Sequence, residues 1–273
     1  MLQQNHDPRR LVLRREGEQA PLLVQNAPEN QRPFIHPWQA PDGAGTLTEN
    51  APPHHPWQHG LYVGLNDVNG VGFWTEGKTD GTFHPAPLTP ATIEGNTATW
   101  EVVTEWRDPD GKPLLTETQA YRLTDKGSTT QLDLDWTLTA TVALTFGKYA
   151  YGGLFVRMPW RPEANGVVLT SEGYTNSSTA DQQRARWVAI AMALPDRENG
   201  PAGVAMLDHP ANPEHPVPWR VDGQLGIAPS RCIAGSWQLA AGNLSLNRYR
   251  LMSFVGAPEL DLIESTWRDF AHE

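Results

Sequence analysis

Short alternating segments separated by turn residues are the feature of this sequence that most limits its fold. Residues 97–106 alternate β-branched, aromatic and acidic side chains, and residues 114–123 continue after the turn Asp108–Pro113. Proline presets φ and glycine accepts positive φ in such a turn, so the two segments predict a β-hairpin. Residues 131–138 alternate in the same way and predict a strand with four inward apolar side chains, Leu132, Leu134, Trp136 and Leu138.

The rest of the chain indicates more strands and one helix. Further strands are predicted at 61–65, 153–158, 166–170, 186–193, 203–207 and 244–255. Only residues 259–272 predict a helix, with Leu260, Ile263, Trp267 and Phe270 forming one apolar stripe. No βαβ alternation or phosphate-binding loop is present. The predicted fold is all-β, an antiparallel β-sandwich with a C-terminal helix that caps one end.

Composition supports one domain and excludes two classes of partner. The 24 glycines and 24 prolines argue against a helical bundle, and 39% hydrophobic residues argue against disorder. Sandwiches of this size commonly form one unit, so we expect a single domain over residues 1–273. A formal net charge of -10 opposes binding to nucleic acid, and no apolar run is long enough to span a membrane.

The termini and cysteine content favour a cytoplasmic protein. Met1–Asp7 lacks the basic and apolar regions of a signal peptide, and Cys232 is the only cysteine. The sequence leaves the oligomeric state open.

Histidines concentrate in two irregular stretches, residues 33–77 and 208–219. Six of the nine histidines lie there: His36, His54, His55, His59, His209 and His215. Long irregular segments in compact domains are usually functional, and prolines in the second stretch stiffen it. The two stretches are therefore the first place to look for a site.

Three interpretations of these histidines stay open. In the first, His55 or His59 is an acid or base in a sugar-sized pocket, and His209, held by Asp208, is its complement. In the second, the histidines only brace loops. In the third, His55 and His59 bind a divalent metal with His209 or Asp208, although the spacing matches no standard zinc pattern. No other cofactor is expected.

Tryptophans and polar side chains beside the histidines are typical of a carbohydrate cleft. Indole faces stack on sugar rings, while amides and carboxylates bind hydroxyls. The candidate substrate-binding residues are Trp57, Asn66, Asp67, Asn69, Trp74, Glu76, Asn212, His215 and Trp219. The alternative for each tryptophan is a place in the core.

Three further candidates come from strand positions. Tyr151 precedes two glycines at a strand entrance, which either opens the backbone to a ligand or forms a bulge. Arg157 and Arg186 sit in apolar strands, where a charge needs a partner. Each arginine either binds a substrate oxygen or closes an ion pair. Asp222-Gly223 predicts only a turn.

Six motifs are distributed along the chain. They are RPFIHPWQAPDG (32–43), TENAPPHHPWQHGLYVGLNDVNGVGFWTEG (48–77), YGGLFVRM (151–158), ARWVAIAM (185–192), the DHPxNPxHPxPW loop (208–219) and LNRYRL (246–251). These motifs resemble the PmoA-like family, which is labelled "methane oxygenase PmoA", and the resemblance extends over nearly the whole chain. The label's chemistry does not fit, because a methane monooxygenase subunit of that kind is a membrane protein.

The resemblance implies a β-supersandwich of the galactose mutarotase type and a role on sugars or keto-sugars. The residues at the family's recurrent polar positions are His55, His59, Asp67, Asn69, Trp74, Asp208, His209, Asn212 and His215. Mutarotase-type sites pair a histidine acid with a carboxylate base, and no such base is assigned here. We therefore expect an epimerase, mutarotase or β-eliminating lyase. The alternatives are a non-catalytic sugar-binding or regulatory protein and a metal-dependent hydrolase or lyase.

Overall fold

Twenty strands form two antiparallel sheets that pack face to face in the computed structural model, which describes residues 1–273. The strands are β1 Leu2–Asp7, β2 Arg10–Arg15, β3 Leu23–Asn26, β4 Phe34–Trp38, β5 Leu61–Val68, β6 Val71–Phe73, β7 Thr82–Pro85, β8 Thr92–Glu94, β9 Thr97–Arg107, β10 Pro113–Asp125, β11 Thr130–Ala140, β12 Leu144–Phe146, β13 Gly153–Val156, β14 Val167–Thr170, β15 Trp187–Met192, β16 Ala202–Asp208, β17 Trp219–Val221, β18 Ile227–Pro229, β19 Trp237–Leu239 and β20 Leu244–Val255. The helices are α1 Ser177–Ala180, α2 Arg231–Ala234 and α3 Leu260–Ala271, with a 3₁₀ turn at Pro162–Ala164.

Each sheet combines strands from distant parts of the chain. The first sheet has the order β1-β2-β3-β4-β5-β13-β18-β17, with β6, β12 and β19 at its side. The second has the order β14-β15-β16-β20-β11-β10-β9-β7, and β8 pairs with β9. The predicted all-β antiparallel sandwich with a C-terminal helix is confirmed.

The core lies between the two sheets and follows from period-two alternation. In β11, Leu132, Leu134 and Leu138 are fully buried, while Asp133 and Asp135 point to the other face. Burying one leucine side chain contributes about 2 kcal/mol. The alternating sequence therefore determines which face of each strand is covered.

The helix α3 packs on the outer face of the second sheet, so the prediction that it caps an end of the sandwich is wrong. Ile263 and Phe270 are buried against apolar side chains of β15, β16 and β20. Leu260, which we assigned to the apolar stripe, is 49% exposed. None of the helices has the length and apolar character needed to cross a membrane.

The stretch 33–77 is less irregular than its composition indicates. It contains β4, β5 and β6, and β5 is the central strand of the first sheet. Between β4 and β5, Asn50 and His59 form an isolated antiparallel bridge, so residues 50–59 make a hairpin-like loop. This loop, here called the histidine hairpin, stands at the base of β5.

Candidate functional site

Aromatic side chains cover part of the outer face of the first sheet. Phe34, Tyr62 and Phe155 lie side by side because β4, β5 and β13 pair in register at these positions. Trp74 packs over the neighbouring Gly64, where a Cβ atom would come within 3.0 Å of the indole. Tyr62, Trp74, Phe155 and Ala228 form a small buried cluster separate from the main core.

A cavity of about 120 Å³ opens above this cluster. Its aromatic lining consists of Trp57, Trp74, Tyr151 and Phe155. Its polar lining consists of His55, Gln58, Arg220 and Asp222. The cavity thus combines apolar ring faces with a small number of polar groups, as small-molecule sites do.

The histidine hairpin supplies His55, Trp57 and Gln58 to this cavity. The hairpin ends at Gly60, which has φ +75° and where a Cβ atom would lie 2.5 Å from the carbonyl oxygen of Ile35. Only glycine fits both conditions, so the chain can turn tightly into β5.

His55 is the titratable group in the cavity whose environment favours the neutral ring. Burial lowers its pKa from the ordinary value, and the charge of Arg157 and the nearby His54 lower it further. Its Nδ1 atom is buried without a protein hydrogen-bond partner, and its ring contacts Trp57 edge to face at 5.4 Å. A neutral imidazole with a free nitrogen can accept a proton near neutral pH.

Arg157 lies next to the cavity and is fully buried. Its Nη2 donates to Nε2 of His54 at 2.9 Å and also contacts Gln224. Its Nε and Nη1 lie 3.8 Å from Glu49 Oε2 and Asp222 Oδ2 respectively. The guanidinium therefore holds the hairpin, the end of β13 and the loop after β17 together through charge.

Tyr151, Arg220 and Asp222 complete the cavity. Burial, followed by the hydrogen bond with Tyr149, raises the pKa of Tyr151 to about 12, so its hydroxyl keeps its proton. Arg220 donates one Nη1 hydrogen bond to Asp181 at 2.7 Å and has further N–H groups. Asp222 Oδ1 accepts backbone hydrogen bonds from Gln224 and Gly226, which fixes the carboxylate in the predicted turn.

Buried polar atoms without a protein partner concentrate at this site. Most buried polar atoms in proteins are hydrogen-bonded, so a local excess of unpartnered ones indicates a place where a ligand or water completes the hydrogen bonds. Six of the residues concerned belong to the site or its supports: Arg32, Glu49, His55, Gln58, Tyr62 and Arg157.

His59 and Glu76 form a pair beside the cavity rather than in it. His59 Nε2 lies 3.6 Å from Glu76 Oε2, and its Nδ1 hydrogen-bonds Asn50 Oδ1 at 2.7 Å. Burial alone would raise the pKa of Glu76, but His59 and Arg32 outweigh burial and lower it. Glu76 also has φ +54°, a strained backbone for this residue, and such strain is frequent at functional sites.

The second predicted stretch starts at the end of β16 on the second sheet and runs to β17 of the first. His209 lies at the β16 end, against α3 and β20, so the structure does not pair it with His55 or His59. Asp208 is fully buried at the end of β16 and accepts from His215 Nδ1 at 2.6 Å, not from His209. Its other oxygen accepts from Asn212 at 2.7 Å. His209 instead packs edge to face on Phe270 of α3, at 4.9 Å. These four residues brace the loop against α3.

Trp219 and Arg186 are also structural. Trp219 is fully buried in the main core and donates Nε1–H to the carbonyl of Ala185. Arg186 closes an ion pair with Glu264 of α3 at 2.8 Å and stacks on Trp267. Of the two alternatives for this arginine, the structure shows the ion pair.

Three polar side chains near the end of β5 hydrogen-bond to backbone groups: Asn66, Asp67 and Asn69. Asp67 accepts from Gly70 N–H across the β5–β6 turn, and Asn69 bonds the backbone of Ala143 and Thr145. These two do not line the cavity, so the structure does not bring them together with the other candidate substrate-binding residues. Asn66 donates to the carbonyl of Tyr151 at 3.1 Å and so supports a cavity residue.

The structure does not bring together the ligands that the metal interpretation requires, because His55, His59 and His209 do not converge on one point. No group of three or more His, Cys, Asp or Glu side chains lies close enough together to hold a metal ion.

Sequence reasoning missed several cavity residues. Gln58, Phe155 and Arg220 line the cavity but were not selected, and Asp222 was assigned only to a turn. A signal existed for Phe155, because it alternates with the inward residues of β13 and so faces outward.

Comparison with known proteins gives one family and several distant folds. Residues 11–268 match a protein family described as a family of unknown function, DUF6807. That description includes no PmoA-like designation. No curated protein matches the chain.

Solved structures resemble the chain at low identity. An α-galactosidase from Lactobacillus brevis is 14% identical with a TM-score of 0.45, and a GH36 α-galactosidase from Geobacillus stearothermophilus is 12% identical with a TM-score of 0.47. The matches cover 94% of this chain but only 39% and 41% of those enzymes. A galactose mutarotase related enzyme from Lactobacillus acidophilus is 10% identical with a TM-score of 0.38, over 95% of this chain and 99% of that one.

Proposed function

Because the chain belongs to DUF6807, a family of unknown function, we propose its activity from the cavity: it moves a proton on a sugar or keto-sugar. The reaction is that of an epimerase, a mutarotase or a β-eliminating lyase. The observation that carries this proposal is the meeting of a neutral, unpartnered His55 with Trp57, Trp74 and Tyr151 in one open cavity.

The aromatic side chains suit a sugar ring, and the polar ones suit its hydroxyls. Exposed parts of Trp57 and Tyr151 present apolar ring faces to the C–H face of a pyranose. Asp222 Oδ2 and Gln58 Oε1 are acceptors for hydroxyl groups. A volume of about 120 Å³ leaves no room for a large ligand inside the cavity, so we assign it no more than one monosaccharide unit.

The chemistry follows from three side chains. His55 removes a proton from the carbon next to a carbonyl, or from the anomeric hydroxyl. Arg220 stabilises the negative charge that develops on the carbonyl oxygen with its remaining N–H groups. Tyr151, which is protonated at neutral pH, donates its proton to the opposite face of the carbanion. His55 then releases the proton that it took up to solvent, and the Tyr151 oxygen takes one from solvent, so both side chains return to their starting states.

The experiment is proton NMR in D₂O with neutral sugars and their 3-keto derivatives. We expect faster anomer exchange, deuterium entry next to the carbonyl, or a new alkene signal. His55→Ala should lower that rate by about 10²–10⁴, the usual contribution of positioned proton transfer. His84→Ala, on β7 of the other sheet, is the matched control. An unchanged rate in a folded His55→Ala variant would exclude His55 as the acid or base.

A non-catalytic sugar-binding protein is the second candidate. It is favoured by the absence of any carboxylate that orients His55, since catalytic bases are usually held by a third group. In this case sugar lines broaden in the same spectra without exchange, and His55→Ala lowers affinity only.

A further inference from the structure

A second depression, of about 400 Å³, lies on the same outer face of the first sheet. Asn26 on β3, Phe34 on β4 and His59 at the base of the histidine hairpin contribute to its lining. We propose that this depression is a second sugar subsite, so that the ligand is a neutral disaccharide or similar glycoside. The inference rests on the proposed function, because the first unit occupies the His55 cavity.

One aromatic ring separates the two sites. His59, in the depression, contacts Tyr62 at 6.4 Å between ring centroids. Tyr62 in turn contacts Phe155 and Trp74 of the cavity, at 5.5 and 5.4 Å. The two sites are joined at the surface by the histidine hairpin, which lines the cavity with His55, Trp57 and Gln58 and the depression with Asn50 and His59.

Unpartnered polar atoms lie along this connection. Gln58 is the chain neighbour of His59 and lines the cavity, and its Oε1 is buried without a protein partner. The Tyr62 hydroxyl is also buried without a protein partner, and Tyr62 is 1% exposed. Because neither atom is open to solvent, a ligand hydroxyl reaches them only if the side chain of Gln58 or Tyr62 moves on binding.

The depression itself offers free hydrogen-bonding groups. The side chains of Arg10 and Gln31 make no ion pair or hydrogen bond with other protein groups. Asn50 Oδ1 accepts from His59 Nδ1 at 2.7 Å, so the amide N–H groups of Asn50 stay available. His59 stacks on Phe34 at 5.0 Å, which gives the depression an apolar edge.

Positive and negative side chains around the depression are present in similar number. The depression therefore has no strong net charge, which favours a neutral ligand. Arg9 pairs with Glu29 at 2.8 Å, and His59 lies beside Glu76. The remaining charged side chains are Arg10 and Asp7, which have opposite signs. A phosphate or a second carboxylate would find no surplus of positive charge here.

The test is an NMR titration of the full chain with glucose and galactose, and with cellobiose and lactose. We expect at least one disaccharide to bind about tenfold more tightly than its monosaccharide units, the gain that one or two extra hydrogen bonds give. The double variant Arg10→Ala/Gln31→Ala should remove this gain and leave monosaccharide affinity within about twofold. Arg122→Ala, an exposed arginine on the second sheet, should change neither affinity.

The failures of the two proposals can be told apart. If monosaccharides bind and His55→Ala weakens them, but no disaccharide binds more tightly, the second subsite is excluded and the proposed function stands. A disaccharide gain that survives in the double variant also excludes the subsite. If none of the four sugars binds but a 3-keto derivative exchanges protons in D₂O, the second subsite is overturned and the proposed function stands. If the 3-keto derivatives are inert as well, both proposals are overturned.

Discussion

Arg157 Nη1 lies 3.8 Å from Asp222 Oδ2, and the guanidinium is fully buried. This distance exceeds that of a hydrogen bond, so the two groups interact through charge. Asp222 Oδ1 is already occupied by two backbone N–H groups of its own turn. The arginine therefore balances the charge of Asp222 while Oδ2 stays available to a ligand in the cavity.

Replacing Arg157 should destabilise the protein strongly. Arg157→Met leaves Asp222 without an ion-pair partner and removes the link to His54, while Glu49 keeps its ion pair with Arg161 at 2.8 Å. We therefore expect a loss of about 3–5 kcal/mol in the free energy of unfolding. Urea titration followed by tryptophan fluorescence measures it. Arg122→Met, an exposed arginine without a partner, should stay within about 0.5 kcal/mol of the wild type. A loss below about 1 kcal/mol for Arg157→Met would contradict the role assigned to it.

Two buried tyrosines should respond differently to loss of their hydroxyl. Tyr121 donates to Gln119 Oε1 at 3.0 Å, so Tyr121→Phe leaves a buried acceptor unpaired and should cost about 1–3 kcal/mol. The Tyr62 hydroxyl has no protein partner, so Tyr62→Phe should change the free energy of unfolding by less than about 0.5 kcal/mol. The same urea titration compares both variants. Equal losses would mean that Tyr62 has a hydrogen bond in the folded protein.

The second half of the sandwich was predictable because its strands alternate over many residues. Residues 97–106, 114–123 and 131–138 all lie within long strands of the second sheet. Strand β1 was missed, since five of its six residues are not buried and the period-two signal is absent. Strand β4 contains Pro37, which argues locally against a strand although pairing with β3 and β5 still forms it.

The site was predictable where its residues lie close together in the sequence. His55 and Trp57 come from one hairpin, and the density of polar and aromatic residues there identified it. Arg220 lies on β17 and lines the cavity only because β17 pairs with β18 and β18 pairs with β13. The local sequence does not show these long-range pairings. The prediction for Asp208 and His209 was wrong because the composition of their loop resembles that of the histidine hairpin, while the fold places both residues at the second sheet.

Stability should fall as the pH drops below neutrality. Burial lowers the pKa of His36, His55 and His209 from the ordinary value of 6.5. Between 6.5 and the lowered values the unfolded chain binds more protons than the folded one, so acid favours unfolding in that window. We expect the free energy of unfolding to decrease from about pH 7 to about pH 5.

Urea titrations across this range test the expectation with two variants. His36→Gln removes one of the shifted groups, so its stability should depend less steeply on pH. His272→Gln, at the exposed C-terminal end of α3, should keep the wild-type slope. Stability that increases as the pH falls over the same range would show that buried histidines do not control it.

The structure separates bracing histidines from the candidate catalytic one, and paired variants should do the same. Asp208→Ala leaves the side chains of Asn212 and His215 without their buried acceptor, so we expect a loss of about 2–4 kcal/mol in stability. Because these residues lie on the second sheet, sugar turnover or binding should remain unchanged in the folded variant. His55→Ala should show the reverse, since His55 makes no protein hydrogen bond through its buried Nδ1. NMR in D₂O at a temperature where both variants are folded makes the comparison. Loss of sugar exchange or binding in folded Asp208→Ala would contradict this prediction and show that the loop 208–219 contributes to the site.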